Sequence, residues 1–322
     1  MWYRTNEEKK EVSSMSNIVV SGLLNLETTT KVKEFPIPYF PIEYPFFGVQ
    51  TSVSGVGYNI AKALKCLGDE VTLLSYLADD LAGAMVLSEL SKVGVNTQYI
   101  KKELQETPAS VVLHEETGRR QIYCDLKDIQ EKRYPEQEAR EAFVEKEIFI
   151  LCNINFNREL ISKARQSGKL VATDVHVIGN VEDEYNKIFM QNADLLFLSN
   201  EAIIGREVSF LKQIARCYQN RIIVIGQGCD GALMYDREND CIYDVDSISV
   251  AGVVNTVGAG DALFSAFVHY YGLGMSPIEC LKRAEIFAAH KIQYNGAAAG
   301  FIGEEEIEEL YRDTSISIRI IE

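Results

Sequence analysis

Asn255-Thr-Val-Gly-Ala-Gly-Asp261 runs directly into Ala262-Leu-Phe-Ser-Ala-Phe-Val-His-Tyr-Tyr271, a stretch with the apolar spacing of a helix. Small residues at 258–260 let the backbone pass close to a ligand. The amides of 258–261 then lie at a helix N-terminus, where free N–H groups and about half a unit of positive charge attract anions. A carboxylate would ordinarily repel a phosphate there. Asp261 makes sense if it takes a proton from an attacking hydroxyl while the backbone of Gly258, Ala259 and Gly260 steadies a transferring phosphoryl group. The plainer reading is a first-turn aspartate that stabilises its own helix. That reading suits an isolated Asp better than one set inside G-A-G-D-A after an apolar strand.

Upstream of that helix the chain alternates. Apolar runs at Val71–Leu77, Ile148–Cys152, Leu170–Thr173, Leu195–Leu198 and Ile222–Ile225 read as buried strands. Asn59–Leu67, Ala84–Val93, Arg158–Arg165 and Ser209–Tyr218 carry apolar residues at helical spacing. Ile18-Val-Val-Ser-Gly22 supplies a first strand. Alternation of this kind predicts an α/β fold, a parallel sheet covered by helices on both faces. Helical spacing returns at Pro277–Tyr294 and Glu304–Arg312, and no internal repeat is present.

Two segments break the alternation. Residues 23–53 contain Phe35-Pro-Ile-Pro-Tyr-Phe-Pro-Ile-Glu-Tyr-Pro-Phe-Phe47, with four of the seven prolines, so this run should be extended rather than helical. Residues 108–124 read as a hairpin, Ser110–His114 and Arg120–Cys124, around Glu-Glu-Thr-Gly. Together the two segments could build a small separate sheet beside the main domain.

The bulk composition narrows the partners. The chain has 322 residues, 47% hydrophobic and 25% charged, an ordinary globular balance. A net charge of −15 argues against nucleic-acid and membrane partners but leaves room for a locally positive site. Cysteines at 66, 124, 152, 217, 229, 241 and 280 show no C-x-x-C pair. They read as reduced thiols of a cytoplasmic protein. Residues 1–16 are polar, without an apolar segment of signal-peptide type, and read as a disordered tail.

Two weaker motifs complete the reading. Gly226-Gln-Gly228-Cys-Asp-Gly231 matches G-x-G-x-x-G, yet Ala232-Leu-Met-Tyr235 after it is a short strand, and the dinucleotide fingerprint needs a helix there. A glycine loop between two strands can still let a nucleotide approach. Ser54-Gly-Val-Gly-Tyr-Asn59-Ile-Ala61 opens the first long helix, where Asn59 could bond a substrate hydroxyl or serve as a local cap.

Taken in order, these motifs resemble the ribokinase (PfkB) family of carbohydrate and nucleoside kinases from about Ile18 to Gly303. Ser54–Ala61 looks like the family's opening glycine motif, and Asn255–Asp261 like its D-T-x-G-A-G-D signature. Ala78-Asp-Asp80 with Gly83, Asn200-Glu201 and Gly228-x-x-Gly231 fall where the family carries related motifs. The resemblance implies a single domain over 17–322, a three-layer α/β/α sandwich with a central mostly parallel sheet. It also implies a small β-sheet lid from 23–53 and 108–124. It implies ATP and Mg²⁺ as cofactors, Asp261 as base, and Gly258, Ala259 and Gly260 as anion hole. Asn25, Glu27, Gly55 and Asn59 would bind substrate. Asn200, Gly226, Gly228, Asp230, Gly231, Ala288 and Asn295 would hold the nucleotide.

Three positions depart from the family pattern. Asn255 stands where most members have an Asp whose carboxylate helps bind a monovalent cation, so a K⁺ requirement is in doubt. Ile203 replaces the Glu of N-x-x-E that supports the Mg²⁺–phosphate network, and Ser54 replaces a Gly. Glu201 and Asn255 are the remaining candidates for the metal shell. The pocket groups are neutral or acidic, and Arg119-Arg120 falls at a hairpin turn expected to face solvent. An unphosphorylated sugar is therefore the expected substrate. A nucleoside of the pseudouridine type is the alternative, its base held by Tyr123, Phe47 or Tyr39. A non-catalytic sugar sensor is a third reading. The aromatics of Phe35–Phe47 suggest a homodimer formed through the lid.

Overall fold

In the computed structural model, residues 15–115, 119–250 and 252–321 are described. Of the expected polar tail, residues 1–16, the first fourteen lie outside them, as do three residues of the hairpin turn. Ser16 is already buried, its N–H donating to Asp69 Oδ1 at 3.0 Å.

Among the described residues, ten strands form one sheet. Across it lie Ile318–Ile321, Cys241–Val245, Ala232–Asp236, Ile222–Gly226, Leu195–Ser199, Leu170–Val177, Ile148–Leu151, Asn17–Ser21, Glu70–Leu77 and Ile100–Lys102. Pairing is parallel from Ile222–Gly226 onward and antiparallel among the first four. The near-continuous apolar runs have a simple cause, since the central strands are buried on both faces. Ile18 and Val20, Leu195 and Phe197, Ile222 and Val224 pack to one side, while Val19, Leu196, Leu198, Ile223 and Ile225 pack to the other.

Helices Val56–Cys66, Leu81–Lys92, Ala259–Gly272, Pro277–Lys291 and Glu304–Asp313 cover the first side. Glu136–Phe143, Arg158–Gln166, Lys187–Asn192 and Glu207–Cys217 cover the second. The result is the expected three-layer arrangement. Sequence spacing missed the helices Glu136–Phe143 and Lys187–Asn192, which are short, and the final edge strand. It also ran the helix from Pro277 to Tyr294, whereas the helix ends at Lys291.

The two irregular segments do join. Val49–Ser54, Asn25–Lys31, Ala109–His114 and Arg120–Asp125 form a second, four-stranded sheet in that order. Register decides its faces. Glu27 pairs with Ser52 and Ser110, Ser110 with Cys124, and His114 with Arg120, so Asn25, Glu27, Ser110, Cys124 and Arg120 share one face. Thr28, Thr51, Val111 and Tyr123 share the other. Asp80 ties this sheet to the body. Its carboxylate accepts the Gly83 N–H at 2.7 Å, capping a helix, and both the N–H and the hydroxyl of Thr107, at 2.9 and 2.7 Å. Between Lys31 and Val49 the proline-rich run has no strand, and Tyr39, Phe40, Tyr44, Phe46 and Phe47 are exposed.

The helix that begins at Ala259 is pinned at its far end by a buried pair. His269 Nδ1 lies 2.8 Å from Asp69 Oδ2, and both side chains are fully buried. Removing the carboxylate leaves the imidazole and the Ser16 amide without their acceptor. We expect Asp69→Ala to lower unfolding stability by about 2 to 3 kcal/mol in urea titration, with the helix N-terminus still formed.

Candidate active site

The parallel strands at Asn17–Ser21, Leu170–Val177, Leu195–Ser199 and Ile222–Gly226 end along one edge of the sheet, where ligands of open α/β folds bind. The helix Ala259–Gly272 starts at this edge. Gly258 caps it with φ +81°, a left-handed conformation that glycine adopts at little cost. A Cβ there would stand 2.1 Å from the Ala297 carbonyl oxygen, so the turn closes against the segment after Lys291. Nothing lies within 4 Å of a Cβ built at Gly260. The turn therefore presents open space in front of its first amides, as an anion site requires. Ala259 N–H is drawn to the Thr256 carbonyl at 3.2 Å, which leaves the amides on either side as better candidates.

Asp261 is buried in the first turn of this helix, and Asn59 Nδ2 donates to its Oδ2 at 2.7 Å. Burial lifts its carboxyl to about 6, and nearby Asp174 adds to the rise. His176, the Asn59 hydrogen bond and Lys291 pull the other way. A carboxylate poised near 6 suits a general base at neutral pH. Asp174 and His176 were not found from sequence. Their signal was two polar residues closing the apolar run Leu170-Val-Ala-Thr173, and His176 sits at φ +58° with its N–H on Asp174 Oδ1 at 2.8 Å.

Among the described residues three buried oxygens of the candidate site have no partner: Asn25 Oδ1, Glu27 Oε1 and Asn59 Oδ1. All are acceptors, so the missing partners are hydroxyl or amine donors. Asn25 Nδ2 donates to Ser110 Oγ at 3.0 Å, and Ser54 Oγ donates to Glu27 Oε2 at 3.3 Å. Ser54, a departure from the family pattern, thus braces Glu27. Burial raises the Glu27 carboxyl, while Ser54 and Ser110 hold it down. Gly55 contributes its carbonyl to the Asn59 N–H at 2.9 Å, fixing the turn from which Asn59 rises.

Two cations approach from other directions. Arg120, expected to face solvent, is exposed, yet it shares the lid face of Glu27 and Ser110, its Nη1 donating to Thr256 Oγ1 at 2.6 Å and its Nη2 to Glu201 Oε1 at 3.5 Å. Arg119, its neighbour, points away, onto the carbonyl and ring of Phe35. Strand alternation separates the two, and the hairpin register needed to tell which turned inward is not in the sequence. Lys291 is fully buried, and its Nζ donates to the carbonyls of Asn255, at 3.1 Å, and Val257. Burial pushes its ammonium down to about 8, against the pull of Asp261 and Glu27.

The nucleotide candidates fall in two places. Asn200 N–H donates to Gly226 O at 3.0 Å, and its side chain donates to Glu207 Oε1 at 3.2 Å. Gly228–Asp230 forms a short 3-10 turn beside a cleft of about 450 Å³, lined by Gln227, Cys229, Asp230, Asp246, Ser247 and Arg319. Gly231, at φ +96°, turns the chain into the antiparallel strand, in keeping with a glycine loop between strands. Ala288 lies on the helix that ends at Lys291. Asn295 sits elsewhere, bonding Asn255 Nδ2 at 2.9 Å and reaching Gln50 of the lid at 2.7 Å. Ile203 is fully buried in the core. Glu201 is an exposed carboxylate held by Arg120, and no group of three or more His, Cys, Asp or Glu that could hold a metal occurs among the described residues.

The sequence matches the pfkB family of carbohydrate kinases over residues 15–302. It is 24% identical over 295 residues to the acarbose 7(IV)-phosphotransferase of an Actinoplanes strain, covering 90% of this chain and 97% of that protein. It is 25% identical over 252 residues to the pseudouridine kinase of Escherichia coli K12, covering 74% and 79%. Among solved structures, a microbiome-derived acarbose kinase superposes with a TM-score of 0.82 at 22% identity, over 92% of this chain and 99% of that one. The chain belongs to the pfkB family of carbohydrate kinases, and it is a phosphotransferase of the sugar and nucleoside kinase kind.

Asp261→Asn should reduce kcat by about 10²- to 10⁴-fold, the usual worth of a general base. Only the ionised carboxylate accepts a proton, so kcat/KM of the unaltered enzyme should rise with pH through about 6 and level off above it. Burial opposes ionisation, so the variant should be no less stable than the parent at pH 7 in urea. A variant that turns over at the parent rate would remove Asp261 from the role.

Proposed function

We propose that the chain transfers the γ-phosphate of ATP to a hydroxyl of a small neutral sugar, with Asp261 as general base. The observation that carries this reading is the set of unpartnered acceptors, Asn25 Oδ1, Glu27 Oε1 and Asn59 Oδ1, beside a buried carboxylate at a helix N-terminus. A polyol supplies the donors those oxygens lack. Asp261 takes the proton of the attacking hydroxyl, and Asn59 holds the carboxylate in place for it. The first-turn amides around Gly258–Gly260 receive the phosphoryl oxygens. Arg120, reaching from the lid to Thr256, is placed to add charge to the same group.

Bound Mg²⁺ would neutralise charge on the phosphates. Such an ion needs only one or two protein carboxylates. Glu201 fits that demand, and its neighbour Asn200 bonds a second carboxylate, that of Glu207. The inward Arg120 reopens the question of a phosphorylated substrate, but it meets Thr256 and Glu201 rather than Asn25 and Glu27. It therefore serves the phosphoryl being transferred, and the substrate end stays neutral.

A nucleoside remains the second reading, favoured by the pseudouridine kinase among the relatives. It weakens at Tyr123, which lies on the lid face opposite Glu27 and Ser110 and cannot sandwich a base over them. An ATP-consumption screen over pentoses, hexoses, their phosphates and ribonucleosides tests the proposal. A neutral sugar should saturate at the lowest concentration; a sugar phosphate or a nucleoside doing so would replace it. Arg120→Met should lower kcat roughly 10²-fold with a smaller change in sugar KM.

The exposed run through Tyr39, Phe40, Tyr44, Phe46 and Phe47 is the surface we assign to a second copy, docking through the lid. Light scattering at micromolar concentration should give a dimer, and a monomer there would retire the assignment.

A further inference from the structure

Lys291 is at 0% exposure, and among the described residues its Nζ meets main-chain carbonyls rather than a carboxylate. Burying an ammonium costs several kcal/mol unless its donors are satisfied. An apolar residue of similar length would fill the same space far more cheaply. Lys291 is the last residue of its helix, yet its Nζ does not turn back to that helix's own carbonyls. It crosses to the carbonyls of Asn255 and Val257, the two residues that flank Thr256 in the turn leading to the anion hole. The charge is therefore spent on the shape of that turn.

The same turn is where the family resemblance places a monovalent cation, so the fit can be tested on the atoms. A cation such as K⁺ is held by carbonyl oxygens and carboxylates. Here the Asn255 carboxamide oxygen accepts the Val257 N–H at 2.9 Å, and its amide nitrogen is committed to Asn295 Oδ1. The main-chain oxygens of 255 and 257 are occupied by Lys291 Nζ. Residue 255 brings no carboxylate to compensate a second positive charge. A free cation beside it would compete with a tethered ammonium for the same oxygens. The residues present do not fit the ion.

We propose that Lys291 is a positioning residue whose ammonium is the resident cation of the anion-hole turn, so that the enzyme needs no K⁺. Its carbonyl contacts orient the Val257–Gly258 peptide, and with it the first amides of the helix. The helix ending at Lys291 also carries Ile292, whose carbonyl accepts the N–H groups of Val254 and Asn255 at 2.9 and 3.1 Å. One short segment thus grips the turn by both its donors and its acceptors. This inference deepens the kinase reading and rests on it for its effect on rate.

The test compares the parent, Lys291→Ala, which opens a gap among the carbonyls, and Lys291→Met, which removes the charge but keeps the bulk. Each is measured in K⁺, NH₄⁺, Na⁺ and tetramethylammonium at constant ionic strength. The parent should show the same kcat in all four. Lys291→Ala should lose at least about tenfold in kcat, with less change in KM, and regain most of it saturably in K⁺ or NH₄⁺. Lys291→Met should lose as much and regain none. A second readout needs no turnover: the Tm of Lys291→Ala should rise saturably with K⁺, while those of the parent and Lys291→Met should not. If the parent phosphorylates nothing, the kinase reading fails, and the Tm series still decides the role of Lys291. Strong saturable K⁺ activation of the parent would overturn the proposal. So would a Lys291→Ala variant indifferent to K⁺ in both rate and Tm.

Discussion

Asn59 Nδ2 meets Asp261 Oδ2 at 2.7 Å, across 202 positions of sequence, and joins the first turns of two helices. A carboxylate at that depth is costly to ionise, and the rest of the site is arranged around that cost. His176, one donor from Asn59 and the Lys291 ammonium at longer range keep the charge tolerable without neutralising it, and the helix N-terminus favours the same sign. Complete pairing would make Asp261 a poor base, because a carboxylate in a tight salt bridge holds its proton too weakly. The single hydrogen bond leaves basicity in reserve. It also fixes the direction from which a hydroxyl can approach.

The lid follows from the same constraint. Its inner face supplies Asn25 and Glu27, whose free oxygens face the centre, and Arg120, which reaches over the anion-hole turn. A second link runs from Gln50 through Asn295 to Asn255 and on to the Val257 N–H. The lid is therefore wired to the turn at two points, once by a cation and once through two amides. On the proposed function, a displacement of the lid would disturb the amides that receive the phosphoryl group. Shielding the reaction from water and completing the catalytic set become one motion.

Much of this was legible in the sequence where chemistry and local geometry coincide. Gly258-Ala-Gly-Asp261 announces a helix N-terminus with a carboxylate in it, and the apolar runs announce strands buried on two faces. Other parts depend on register, which local pattern does not carry. Whether Arg119 or Arg120 turns inward is set by the pairing of His114 with Arg120, a property of two strands together. Lys291 was hidden for a different reason. Placed at the end of a long amphipathic helix, it reads as an ordinary C-terminal lysine helping the dipole. Only the packing of that end against residues 254–258 turns it into an internal ligand.

The balance of charge shows why such a lysine is useful in this chain. At −15 the protein as a whole repels ATP, so the pocket must supply its own attraction close to the phosphates. Surface lysines would be screened within about 10 Å in ordinary salt. A buried ammonium is not, and it needs no dissolved ion to reach it. Arg120 provides the second charge, but it is partly exposed and stands on a lid strand rather than in the body. The buried charge thus holds the turn from within, and the exposed one reaches it from the lid. Acceptors collect at the substrate end and cations at the phosphoryl end. On the proposed function, the acceptors would take the hydroxyl donors of the sugar and the cations would take the phosphate, with Asp261 between a proton to remove and a group to transfer.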